Sequence, residues 1–148
     1  MSKFESSILE YLGGKKNLGT SDDESPMNLH DRVVTGLPVR CVTAFKAHSG
    51  LTNVQVSALL GVSEKTLIRW QATPKKPIDA VSSDRLYRTA KVMALVEEVL
   101  EDAEAAREWI GEAHIGLGNR VPRDLLTTDI GARQVEELLL RMEHGYLA

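Results

Sequence analysis

Between Leu51 and Gln71 the chain carries a pattern that dictates local geometry almost unaided. Thr52 and Gln55 have the T-x-x-Q spacing of a capping box, in which each side chain accepts a hydrogen bond from the other residue's backbone amide, so a helix begins there. Val56, Leu59 and Leu60 share one face of that helix, Ser57 is small enough for close helix contact, and Gly61 suits the left-handed conformation of a tight turn. Ser63 is placed to cap a second helix carrying Leu67, Ile68 and Trp70. Two short helices joined through Gly61-Val62-Ser63 are the sequence form of a helix-turn-helix.

In such a motif the exposed side of the second helix enters the major groove of DNA. Here that set is Ser63, Glu64, Lys65, Thr66 and Arg69, followed by Lys75 and Lys76. Arg69 can pair bidentately with guanine, Thr66 can meet a thymine methyl or a phosphate, and the lysines suit backbone contacts. The alternative is a helical hairpin that merely packs. Charge favours nucleic acid despite a net value of −3: Lys+Arg exceed Asp+Glu by 7 to 3 over residues 51–92, match them 6 to 6 before, and trail 5 to 12 afterwards. A basic middle and an acidic end imply two different partners.

The remaining segments read as helices. Phe4, Ile8, Leu9, Tyr11 and Leu12 recur at helical spacing before Gly13-Gly14. The polar stretch Lys15 to Pro26 reads as a mobile linker, after which Asn28 can cap a helix through Leu29, Val33 and Val34 that Gly36 and Pro38 end. A further helix over 39–48 turns Val42 and Phe45 inward, with Gly50 as its stop. Ser82 or Ser83 can cap a long helix whose inward positions are Leu86, Ala90, Met93, Val96 and Leu100, and whose outer face becomes acidic from Glu97. A short helical piece ends near Trp109, residues 111–122 read as a loop, and a last helix from Thr128 or Asp129 buries Val135, Leu138, Leu139 and Met142 before Gly145. No alternating strand pattern and no internal repeat occurs, so the fold class is all-α.

Catalysis lacks a constituency in this sequence. Cys41 is the only cysteine and has no histidine near it in sequence, and His30, His48, His114 and His144 share no metal-ligand spacing. The Gly116 to Asn119 run lacks the strand-then-helix context of a phosphate loop and reads as a connector. Neither enzyme activity nor a cofactor or metal is expected, and a single cysteine with no export signal or apolar span points to the cytoplasm rather than the membrane. Trp70 and Trp109 each read as core residues, Trp109 also as an interface anchor because it precedes a glycine loop.

Gly36-Leu37-Pro38, Leu60-Gly61-Val62-Ser63 with Thr66-Leu67, and Ser83-Asp84-Arg85-Leu86 occur in an order that resembles the Xre/MbcA/ParS antitoxins. The C-terminal part is the more specific match, through Ala105-Ala106-Arg107-Glu108-Trp109-Ile110, Pro122-Arg123-Asp124-Leu125-Leu126, 131–136 and Met142-Glu143-His144-Gly145. Two positions depart from the pattern: Asn119 stands where a second glycine is common, and Arg123 where an apolar residue is. The resemblance implies an antitoxin that inhibits a RES-domain, NAD-consuming toxin by blocking its active site and represses its own operon, as a homodimer within a larger complex. Toxin contacts are expected at Trp109, Arg120, Arg133, Glu136, Glu143, His144, Gly145, Tyr146, Leu147 and Ala148, the last three, by their position beyond the helix stop at Gly145, as a tail able to enter the toxin's pocket. The expected division is an N-terminal helix and linker over 1–27, a helix-turn-helix domain over 28–81, and a long helix with the toxin-binding domain over 82–148. The N-terminal helix then serves dimerisation or covers the core. A stand-alone dimeric helix-turn-helix regulator, and an adaptor that never touches DNA, share the same fold.

Overall fold

A computed structural model describes residues 2–18 and 26–145 of the chain, and among these it is helical without a strand. The chain forms two compact units, Met1–Ala90 and Lys91–Ala148. The boundary along the chain falls within one helix, Ala80–Leu100. The first unit holds both the N-terminal helix and the first half of the long helix.

In the first unit, α1 (Lys3–Tyr11) opens with a capping box between Ser2 and Glu5 and packs on α4 (Val39–Ser49). Tyr11 and Leu12 are fully buried, and the Tyr11 ring lies 4.1 Å from that of His48 and 6.4 Å from that of Phe45, centroid to centroid. The N-terminal helix therefore covers the core. Lys15–Leu18, expected to open a mobile linker, is instead a helical turn, α2, which buries Leu18. Residues 19–25 lie outside the described residues. Helix α3 (Pro26–Thr35) begins at a proline whose fixed φ suits a first turn, so Asn28 sits within the helix instead of capping it. This helix buries none of its residues, and Met27 and Val34 are exposed.

The start of α4 has no side-chain cap, since Pro38 supplies none. Its first amides are satisfied from a distant segment: Val39 N–H donates to the Lys76 carbonyl (2.8 Å) and Arg40 N–H to that of Pro74 (2.9 Å). Ile78 N–H returns a bond to the Leu37 carbonyl (2.9 Å). The proline-punctuated basic stretch is thus strapped down. Helices α5 (Asn53–Leu60) and α6 (Glu64–Trp70) follow the expected caps, with the Thr52–Gln55 box complete and Gly61 left-handed at φ 70°.

Helix α7 (Ala80–Leu100) starts before Ser82 and Ser83, the caps expected from sequence. Asp79 performs that role, its carboxylate accepting from Ser82 N–H (2.7 Å) and Ser82 Oγ (2.9 Å). Ser83 is buried, and its Oγ accepts the Leu37 amide (2.8 Å) across the fold. In the second unit Val92 to Val96 are buried without a gap, more than the one face expected, whereas Leu100 is only half-buried. Glu101 leaves the helix at φ 58°, a left-handed conformation uncommon outside glycine, and Asp102 caps α8 (Ala103–Ile110). A 3₁₀ turn (Ile115–Leu117), a short α9 (Pro122–Leu125) missed in the sequence, and α10 (Asp129–Glu143) complete the unit. Gly131 is required for the α9–α10 contact: a Cβ there would stand 2.0 Å from the Leu125 carbonyl oxygen.

Candidate functional site

Each unit presents one surface that its local chemistry singles out. In the first, α5 holds α6 through buried Val56, Leu59, Leu60 and Leu67, leaving Glu64, Lys65, Ile68 and Arg69 outward along one side of α6. Ser63 accepts the Thr66 amide (3.0 Å) and donates to Thr66 Oγ1 (2.9 Å), so both hydroxyls are engaged in the cap and Thr66 is half-buried. Lys75 and Lys76 are exposed on the strapped segment. The turn is locked from α7: Arg85 Nη1 donates to the Leu60 carbonyl (3.2 Å), and a Cβ at position 61 would meet that same nitrogen at 1.9 Å.

The second unit organises its loop around His114. Its ring stacks on Trp109 at 4.3 Å and 24°, and its Nε2 lies 2.8 Å from the Trp109 carbonyl oxygen. The loop closes on itself, with His114 N–H donating to the Arg120 carbonyl (3.2 Å) and Asn119 N–H to that of His114 (2.9 Å). The expected loose connector is therefore an ordered turn. Asn119 itself is left-handed at φ 63°, which explains why asparagine can stand where glycine is common: its short polar side chain tolerates that region better than most. Along α10, Ile130, Arg133, Gln134, Glu137, Leu140 and Arg141 share the outward side; Ile130 is 77% exposed, and Ile115 on the loop 89%.

Comparison with known proteins assigns these units. Residues 29–91 match the Antitoxin Xre-like helix-turn-helix domain, and residues 95–145 match the Antitoxin Xre/MbcA/ParS C-terminal toxin-binding domain. The chain belongs to the Xre/MbcA/ParS antitoxin family. It is 29% identical to Antitoxin Xre of Pseudomonas putida over 122 residues, covering 82% of this chain and 75% of that protein. It is also 29% identical to Antitoxin Xre of Yersinia enterocolitica over 118 residues, covering 79% of each. Its fold matches a chain of the Mycobacterium tuberculosis MbcT–MbcA toxin–antitoxin complex with a TM-score of 0.55 and 26% identity, over 72% of this chain and 94% of that one. The protein is thus an antitoxin of a toxin–antitoxin system, with a helix-turn-helix domain and a toxin-binding domain.

The structure distributes the residues expected in these sites unevenly. Glu64, Lys65 and Arg69 share the open side of α6, while Ser63 and Thr66 are occupied with each other and Ile68, expected inward, is 52% exposed. Trp70 is half-buried, not core. In the antitoxin's second unit Trp109 is buried, 8% exposed. Arg120, Glu143, His144 and Gly145 are exposed, as is Arg133, which pairs with Asp129 (3.1 Å) within α10. Glu136 is turned toward α7, where its carboxylate lies 3.8 Å from Lys91 Nζ. Tyr146, Leu147 and Ala148 lie outside the described residues. His114, Ile115 and Ile130 were missed: a histidine five residues after a tryptophan carries no sequence signal for stacking, and the exposure of a single isoleucine is not written in its neighbours.

Among the described residues no group of His, Cys, Asp and Glu could hold a metal ion, and no helix is long and apolar enough to cross a membrane. Cys41 is buried, and that burial pushes its thiol up to about 12, far from the range of a nucleophile at neutral pH.

Proposed function

We propose that this antitoxin represses its own operon through α5 and α6 and neutralises a RES-type, NAD-degrading toxin by blocking its active site through the second unit. The observation that carries the reading is the division of charge between units matched to different domains. Lys+Arg outnumber Asp+Glu by 12 to 9 in the first unit and are outnumbered 6 to 12 in the second. A surplus of cations on the unit with a groove-sized helix suits phosphates, and an acidic unit suits a protein surface of opposite sign.

In this reading Lys65 and Arg69 contact bases and backbone, Glu64 accepts from an exocyclic amine, Ser63 and Thr66 act by capping α6, and Lys75 and Lys76 take phosphates from the strapped segment. Arg120, Arg133, Glu143, His144 and Gly145 contact the toxin. Trp109 and Glu136 hold that surface in shape, and Tyr146 to Ala148 reach the toxin's pocket. The chain works as a homodimer, for which the uncovered Met27 and Val34 of α3 supply apolar surface.

The test is co-expression of the full chain with the RES-type protein encoded beside it. Copurification, arrest of NAD loss and a gel shift of the upstream DNA are expected together. A neighbour that copurifies while NAD loss continues refutes active-site blocking. Arrest of NAD loss without a shift on any upstream DNA refutes repression.

A further inference from the structure

Helix α6 holds a large aliphatic side chain outward: Ile68 is 52% exposed, whereas Leu67 beside it is buried at 1%. A lone exposed isoleucine is ordinary on a protein surface. Its neighbours make this one different. Lys65 precedes it by three residues and Glu64 by four, Arg69 follows it, and all three are exposed, so Ile68 stands in the middle of the polar side of α6. Lys75 and Lys76 extend the positive charge beyond the helix. That surface complements a polyanion.

Thr66 was the expected apolar contact to a base, but it is half-buried and its hydroxyl is held by Ser63. Among the described residues, Ile68 is the one large apolar side chain exposed on α6. In the major groove the apolar group that a base pair displays is the thymine C5-methyl, and an aliphatic side chain between cationic neighbours has the chemistry to meet it. We propose that Ile68 is a specificity-determining residue that reads a thymine methyl in the DNA site. This rests on the reading of α5 and α6 as a DNA-binding element.

The test uses the full-length protein and duplexes it enriches from a randomised DNA library. Each thymine of the enriched site is replaced in turn by uracil, which removes only the methyl, and affinity is measured for wild type, Ile68→Ala and Arg69→Ala. One thymine per half-site is expected to lose about three- to tenfold in wild type when converted to uracil. Ile68→Ala, weaker on the thymine duplex, should lose less than about twofold at that position, and Arg69→Ala should keep the uracil penalty. A flat uracil scan, or the same penalty in Ile68→Ala as in wild type, overturns the role of Ile68 while leaving DNA binding intact. If a second copy of the chain covers Ile68 instead, Ile68→Ala lowers the association state in sedimentation without DNA and the scan is flat, which also overturns it. Failure to enrich any duplex overturns the DNA-binding reading and this assignment with it. Because Ile68 is exposed, its replacement is expected to leave the thermal unfolding of the chain unchanged.

Discussion

Replacing Gly61 by alanine tests how the helix-turn-helix is held. At φ 70° an L side chain costs about 1–2 kcal/mol from its own backbone clash. The added Cβ would also stand 1.9 Å from Arg85 Nη1, displacing the guanidinium and breaking its 3.2 Å bond to the Leu60 carbonyl. A charged donor on a carbonyl is worth about 1.5–3 kcal/mol, discounted to about 1 kcal/mol because this bond is only part-buried. The total is about 2–3 kcal/mol. Arg85→Ala alone should cost about 1 kcal/mol, and Gly61→Ala in that background should cost only the backbone share of about 1–2 kcal/mol. The assay is urea unfolding followed by Trp70 fluorescence in a Trp109→Phe background, which leaves one tryptophan, on α6. Strictly additive single and double variants would refute the claim that Arg85 braces the turn from α7.

Three further outcomes follow from the geometry. Trp109→Ala should destabilise the second unit by about 3–5 kcal/mol in thermal melts and lose toxin capture through unfolding, whereas Ile130→Asp, on an exposed position, should weaken capture in pull-downs with its melt unchanged. Asp79→Ala should cost about 1 kcal/mol as a lost cap; the Ser82 amide bond holds the Asp79 carboxyl below its ordinary value of 3.8, so this stability is present above that pH and lost as pH falls through the depressed value, checked by urea midpoints in acid. Cys41 should resist maleimide in the native chain and react on unfolding in urea. Its thiol titrates near 12 folded against 9.0 ordinarily, so the unfolded chain releases that proton first and stability should fall as pH rises between those values.

The amino-acid sequence alone determined what depends on neighbours a few residues apart. The Thr52–Gln55 box, the Gly61 turn, the Thr128 cap and the Val135-Leu138-Leu139 stripe are set by hydrogen bonds and periodicity within one or two turns, and all are present in the structure. The family resemblance was legible for the same reason, since its motifs are short runs. What the tertiary structure decided depends on segments far apart in the chain. Asp79 displaced the expected serine caps because Ser83 is drawn to Leu37, and the basic stretch lost its freedom because α4 needed acceptors for its first amides. His114 folds back to stack on Trp109, and of the adjacent pair on α6 Leu67 is buried while Ile68, expected inward, is left outside. Periodicity identifies a helix, but the side of that helix left to solvent is chosen by what packs against it.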